Sequence, residues 1–527
     1  MEFKNRSPES QNPVPTASDS QVSGYFRLGW LAILLVALLI RFGAAVYWHR
    51  TAEQQTLNSI TNSTAALEPE SQQLPLRLGD SLSYWVLAQR LTGGQSYEYG
   101  SSDAQIFRAP LYPLFLVPFA TLGDWLGSEA AGIWWARIAG AALGTWAIAI
   151  MMSLARQHFG ICVALAAGSL AAVHPGSVGA SVMILSEPLF MPLMLLSLAT
   201  GVRALGTFQH SPAASYERPF FLRDLASLTR GSFLAGSAEH APLRFSLACG
   251  GFSGLATLAR PSWLLFLPFA IALGFLFSRD RRLWLRFAAL ATLGCCVVMS
   301  PWWIRNAAIT GRFVPSTLQV GLSLYDGWHE GATGASDEGM AFAFDIQADQ
   351  RELDSQVANA NELASTFEYR VDALAKQKAL RWASQNPSQV IQLAWIKFTR
   401  TWSLWPDGGE LSSHRIRFAI TVGTFSIVLL AIAATALILR TSASRRSMLF
   451  LATFCWLPCI YFTLLHMVFV GSIRYREPAI LVLCPLAGIA LARLAGCCSR
   501  SSPPIEIQSV QGRASATETT LRSEHSD

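Results

Sequence analysis

The chain has 527 residues, of which 52% are apolar by a broad count and only 14% charged, against roughly 25% charged in a typical soluble protein. That balance excludes an ordinary soluble globule. The net charge of +6 is almost wholly arginine, since Lys4, Lys376, Lys378 and Lys397 are the only lysines. Retention of arginine in cytoplasmic loops explains this better than a nucleic-acid partner does.

Residues 1–24 are rich in Ser, Gln and Pro and predict a disordered cytoplasmic N-terminus. The first apolar run, Tyr25 to Trp48, is too long and lacks the small-residue cleavage site of a signal peptide, so it predicts a retained helix. Further apolar runs at roughly 130–153, 160–176, 186–205, 245–260, 262–278, 284–301, 416–439, 447–469 and 478–496 are each long enough to cross a hydrocarbon layer of ~30 Å. The fold expected is an all-α polytopic membrane protein. Its parts are an N-terminal transmembrane module at 25–301 with a first outer loop at 49–129, a partly folded outer (periplasmic) loop at 302–415, C-terminal helices at 416–496, and a disordered cytoplasmic tail at 497–527. With the N-terminus inside, the clusters Arg279 to Arg286, Arg440 to Arg446 and Arg493 to Arg522 all fall on the cytoplasmic side.

Within the outer loops, the apolar positions Leu82, Val86, Leu87 and Leu91 predict a short helix starting at Gly79-Asp80, and local sequence favours Asp80 as its cap. Pro110 and Pro113 interrupt the next run, which reads as a juxtamembrane or re-entrant helix rather than a straight span. Asn361 to Trp382 and Val390 to Trp405 predict further helices, the second lying on the membrane. Gly327 to Gly334 reads as a turn. All nine cysteines fall within spans or at the inner end of the last one, so no disulfide is expected outside. There is no P-loop, zinc-protease helix motif, dinucleotide fingerprint or internal repeat.

Individually the outer polar residues are ordinary: Glu187 precedes Pro188 at a helix start, and Arg108, Arg305, Arg474 and Arg476 are arginines near a membrane surface. Arg41 lies inside the outer half of the first span, where a charge needs a partner or an aqueous cavity. Together, two carboxylates and several arginines from distant parts of the chain meet one interface. That suits a charged lipid headgroup, because guanidinium binds phosphate bidentately while a carboxylate orients or deprotonates a hydroxyl.

Six short elements occur in order: Asp80 with Tyr84 and Ala88; Arg108 with Pro110-Leu111-Tyr112-Pro113; Leu185-Ser186-Glu187; Ala259-Arg260-Pro261; Pro301-Trp302 with Arg305-Asn306 and Gly311; and Arg474-Tyr475 with Pro478. The set resembles the integral-membrane glycosyltransferases of the GT-C fold, the relatives of dolichyl-phosphate-mannose protein mannosyltransferases and bacterial aminoarabinose transferases, over most of residues 25–496. The resemblance implies a GT-C-like bundle of about 10–11 transmembrane helices in a bacterial inner membrane, with juxtamembrane helices in the first outer loop and an active site facing the periplasm or exterior. It further implies a polyprenyl-phosphate-linked monosaccharide donor and a lipid, glycan or protein acceptor among the envelope components. Asp80 is then the catalytic acid/base residue and Arg474 contacts donor phosphate. Placement on the same side extends the phosphate-binding set to Arg476, Arg305 and Arg41, and the substrate-positioning set to Glu187, Tyr84, Arg108, Tyr112 and Tyr475.

Two departures favour a bacterial branch with an unassigned acceptor. Asp80 is followed by Ser81 where the family often has Asp-Glu, and Arg108-Ala109-Pro110-Leu111 stands where protein mannosyltransferases carry His-Pro-Pro-Leu. No His, Asp or Glu cluster has ligand spacing, so no metal or cofactor is assigned and dependence on a divalent metal is left open. The alternative function is a transporter or flippase of a lipid-linked sugar, which would place polar residues through the middle of several spans.

Overall fold

The computed structural model describes residues 17–62, 79–101, 103–209, 241–278, 280–337, 340–357, 363–406, 413–440 and 445–496. Among these there are helices and no strands. In chain order the helices are α1 (Ala17–Asn62), α2 (Gly79–Thr92), α3 (Leu111–Trp125), α4 (Glu129–Phe159), α5 (Ile161–Val173), α6 (Pro175–Val182), α7 (Glu187–Gln209), α8 (Ala241–Ala259), α9 (Phe266–Phe277) and α10 (Arg281–Thr310). They continue with α11 (Val320–Gly327), α12 (Phe342–Ser355), α13 (Phe367–Gln385), α14 (Pro387–Thr401), α15 (His414–Arg440), α16 (Arg445–Val468) and α17 (Glu477–Leu494). Short 3-10 turns at Pro261–Trp263 and Ile473–Arg476 precede α9 and α17.

The protein is an all-α polytopic membrane protein. Six segments among the described residues are long and apolar enough to cross a membrane: Phe26–Glu53, Glu129–Phe159, Glu187–Gly206, Arg281–Thr310, His414–Arg440 and Ile473–Leu494. The expected span at 160–176 is the pair α5 and α6, bent by 63°. The run expected at 262–278 is interrupted at its start by the 3-10 turn, and 447–469 has its apolar part at Cys455–Val468. Residues 17–24, expected to be disordered, instead open α1, while residues 1–16 and 497–527 lie outside the described residues.

The bend between α5 and α6 has a local cause. Pro175 has no N–H, and His174 at the junction is extended (φ −63°, ψ 115°), so the last carbonyls of α5 lose their helical partners. Arg41 takes them up. Its Nη1 donates to Ala172 O at 3.2 Å and Ala37 O at 3.3 Å, its Nη2 to Ala171 O and Ser177 Oγ, and its Nε to Ser181 Oγ. A cation inside the bundle is thereby satisfied by a helix C-terminus rather than by a carboxylate.

Helix α17 forms the centre of the bundle, with Ala479 to Ala490 buried on every face, and α5, α15 and α16 pack around it. Small residues bring the helices close. A Cβ on Gly250 of α8 would lie 1.7 Å from the Ala291 carbonyl oxygen of α10, and one on Gly294 would lie 2.2 Å from the Leu247 carbonyl oxygen. Gly250→Ala is therefore expected to cost about 1–3 kcal/mol in a denaturant titration of the purified protein, because the obstacle is backbone. Gly251→Ala, whose added carbon meets Val298 at an ordinary 3.8 Å, is the control expected to hold or raise stability.

At the end of the bundle carrying the two long loops, α2 lies on α3 and α4 through Tyr84, Trp85, Ala88, Tyr112, Leu116 and Ile133. The helices of the second loop cover this layer. Glu368 of α13 accepts the backbone N–H groups of Gln105 and Ile106, and the Leu318 N–H donates to Ile106 O at 3.1 Å. One turn on, Asp372 Oδ1 accepts the Gly321 N–H at 2.6 Å.

This clasp is pH-sensitive. Burial pushes the Glu368 carboxyl up to about 7 and that of Asp372 up to about 6, against the backbone N–H groups that pull both down. The native state thus binds these protons more tightly than the unfolded chain does. Their contribution to stability is complete below the ordinary carboxylate range and is lost as pH rises through 6 to 7. Glu368→Gln is expected to flatten the fall in unfolding temperature between about pH 4.5 and 7, read by scanning fluorimetry at stepped pH.

Candidate active site

Five ionic side chains form an alternating chain at the loop-bearing end of the bundle. Arg108 Nη2 donates to Asp80 Oδ1 at 2.7 Å; Asp80 Oδ2 accepts from Arg474 Nη2 at 3.0 Å; Arg474 Nε donates to Glu187 Oε1 at 2.7 Å; and that oxygen lies 2.6 Å from Arg260 Nη1. Asp80 and Arg474 are 394 positions apart in sequence.

Local sequence explains each placement. Asp80 is in the first turn of α2, yet neither carboxylate oxygen caps the helix; both go to guanidinium groups, which corrects the capping role read from local sequence. Arg108 lies in the loop ahead of Pro110, the N-cap of α3, and the Tyr97 hydroxyl pins that loop by donating to the carbonyls of Arg108 and Ala109. Glu187 opens α7 beside Pro188. Arg260 precedes Pro261 and is extended (φ −144°, ψ 105°), as the residue before proline prefers, which turns its side chain off the axis of α8. Arg474 is on the 3-10 turn capped by Ser472, whose hydroxyl accepts the Arg474 N–H.

The electrostatics favour ionised partners. Burial alone would raise the Asp80 carboxyl, but Arg108 and Arg474 hold it well below the usual carboxylate range. Burial acts on Arg108 to lower it, and the Asp80 charge outweighs this. Three guanidiniums against two carboxylates leave one positive charge over. Glu187 is fully buried, whereas the Asp80 side chain keeps 33% of its surface exposed. The most exposed member of the chain is therefore Asp80, and the surplus charge suits an anion.

Aromatic rings frame the cluster. Tyr84 and Tyr112 pack edge to face at 5.0 Å, and the Arg108 guanidinium lies 5.1 Å from the Tyr84 ring. Tyr475 stacks flat on His466 at 4.1 Å, with the guanidiniums of Arg260 and Arg474 at 5.6 and 5.9 Å from its ring.

Three arginines expected at the phosphate are placed elsewhere. Arg41 fills the bend in α5 and α6. Arg305 donates to the Gln105 carbonyl at 3.2 Å and lies over Trp302 and Tyr97. Arg476 is buried on another side of its 3-10 turn, donating to the carbonyls of Thr401 and Ser403. Each is held by backbone carbonyls, so Arg474 is the member of that expected set that reaches Asp80.

Arg260, Ser83, Gln319 and His466 are the site residues not assigned from sequence. Arg260 carried a signal, because an arginine between two apolar runs needs a partner; Ser83 and Gln319 carried none. Among the described residues no three or more His, Cys, Asp or Glu side chains come together in a way that would hold a metal ion.

No protein family and no curated protein matches the sequence. Among solved structures, the chain is similar to the archaeal oligosaccharyltransferase AglB from Archaeoglobus fulgidus, in complex with an inhibitory peptide and a dolichol-phosphate. The identity is 15% and the TM-score 0.47, over 90% of this chain and 52% of that one. It is also similar to ArnT from Cupriavidus metallidurans bound to undecaprenyl phosphate, at 16% identity and a TM-score of 0.35, over 91% of this chain and 79% of that one. The chain thus spans about half the length of the archaeal protein.

Proposed function

We propose that the protein is a glycosyltransferase that moves a monosaccharide from a polyprenyl-phosphate donor to an envelope acceptor. The reaction takes place at the outer face of a bacterial inner membrane. Asp80 removes the proton from an acceptor hydroxyl or amine as that atom attacks the anomeric carbon opposite the lipid phosphate, so configuration inverts. The leaving phosphate is stabilised by its own charge, and one carboxylate base serves where glycosidases use an acid-base pair. Arg474 stabilises the phosphate charge that grows as the bond breaks, and Arg108 positions the Asp80 carboxylate.

The observation that carries this reading is the meeting of Asp80 and Arg474, 3.0 Å apart across 394 positions, at a partly exposed and net positive cluster. A carboxylate and a guanidinium there supply a base and an anion clamp within reach of one another. The test supplies proteoliposomes of the full-length protein with radiolabelled polyprenyl-phosphate sugars and an envelope extract as acceptor source. Label is expected to move from the lipid to an acceptor fraction as the opposite anomer. Retention of configuration, or no transfer from any donor of the panel, overturns the proposal.

A further inference from the structure

The ionic side chains of the cluster are not held alike. Arg108 is tied at all three nitrogens: Nε donates to Ser83 Oγ at 2.9 Å, Nη1 to Gln319 Oε1 at 3.1 Å and Nη2 to Asp80 Oδ1 at 2.7 Å. Ser83 is itself fixed, because its hydroxyl donates to the Asp80 carbonyl oxygen one turn back at 2.8 Å. Gln319 is the N-cap residue of α11 and brings the second loop onto the site. Arg474 has no neutral tether on its guanidinium. Its Nε and Nη2 go to Glu187 and Asp80, and among the described residues Nη1 makes no hydrogen bond.

Asp80 therefore has a guanidinium on each oxygen, and a carboxylate paired with two cations is a poor proton acceptor. Withdrawal of one guanidinium raises its basicity and clears the approach to that oxygen. Arg108 cannot leave without breaking its bonds to Ser83 and Gln319. Arg474 can leave Asp80 while Nε stays on Glu187, and its two Nη groups then form the fork that suits phosphate.

We propose that Arg474 is the exchangeable clamp: donor phosphate draws its Nη groups off Asp80 Oδ2 and frees that oxygen for the acceptor proton. Ser83 and Gln319 act as positioning residues that hold Arg108 on Oδ1. This rests on the transferase reading above and adds an order to it, since the base becomes competent only once donor is bound. In the step itself the acceptor atom forms its bond to the anomeric carbon and gives its proton to Oδ2. The bond from that carbon to the phosphate oxygen breaks, and its electron pair leaves with the phosphate, now held by Arg474. The charged and titratable groups facing Asp80 are Arg108 ahead of α3, Arg474 and Tyr475 on the 3-10 turn, and Tyr99 in the first loop.

The test uses full-length protein in nanodiscs, labelled with carboxyl-13C aspartate, and undecaprenyl phosphate as the probe. Infrared difference spectra at neutral pH, with Asp80→Asn subtracted, isolate the Asp80 carboxylate band, and native mass spectrometry reports lipid binding separately. The band of the lipid-bound wild type is expected to move to the position seen in lipid-free Arg474→Gln. Gln319→Ala is expected to lower kcat about tenfold with donor KM unchanged, a part of the roughly 10²–10⁴-fold that a positioned base supplies, and Gln319→Glu, which keeps an acceptor oxygen for Arg108, to restore most of it. If the lipid binds and the band stays in place, the exchange is refuted while the lipid-site reading stands. If the lipid does not bind at all, both fall. A rise in KM with kcat unchanged in Gln319→Ala removes the positioning role.

Discussion

Asp80→Asn is expected to lower kcat for sugar transfer by about 10²–10⁴-fold, the usual contribution of a positioned acid or base, without raising donor KM. The substitution keeps the size and shape of the side chain but removes the anion that engages Arg108 Nη2 and Arg474 Nη2. Competition for Arg474 then falls, so donor phosphate meets a freer guanidinium. Loss of turnover with KM unchanged or lowered marks Asp80 as a group that acts in the transition state rather than as a binding residue. Initial-rate kinetics in proteoliposomes over a range of donor concentrations separate the two. A rise in KM with kcat intact contradicts the role given to Asp80.

The largest stability effect is expected at Glu187. Its side chain is fully buried, and Oε1 serves both Arg260 and Arg474 while Oε2 makes no hydrogen bond among the described residues. Glu187→Ala leaves a buried Arg260 uncompensated, and removing one partner of a buried pair costs about 3–5 kcal/mol. Arg474 suffers less because it retains Asp80. The double replacement Glu187→Leu with Arg260→Met is expected to recover much of the loss, since an apolar pair of similar volume avoids the desolvation that the ions bear. Both variants are read by denaturant unfolding in detergent. If the single and double variants unfold together, the pair is not the source of the stability.

The membrane class and the helices α2, α3, α13 and α14 were legible in the sequence because they rest on patterns within one element: apolar runs, proline positions, and the spacing of Leu82, Val86, Leu87 and Leu91; α11 and α12 were not read from it. The bend at His174 was not, since Pro175 falls inside an apolar run whose hydropathy does not change there. The site divided in the same way. Asp80, Arg108, Glu187 and Arg474 stood out as charges beside apolar segments, and the structure brings these four together with Arg260. Arg476 and Arg41 carried the same signal, yet backbone carbonyls satisfy them. Whether a buried arginine meets a carboxylate or a helix end depends on packing between distant elements, and no local pattern encodes it.

A donor carrying tritium in the sugar and 32P in the polyprenyl phosphate tests the central claim most directly. With wild-type protein in sealed vesicles, tritium is expected to pass to the acceptor fraction while 32P remains with the lipid, and neither label is expected to part from the other with Asp80→Asn. Movement of both labels together across the bilayer, with the bond between sugar and phosphate intact, would contradict the account.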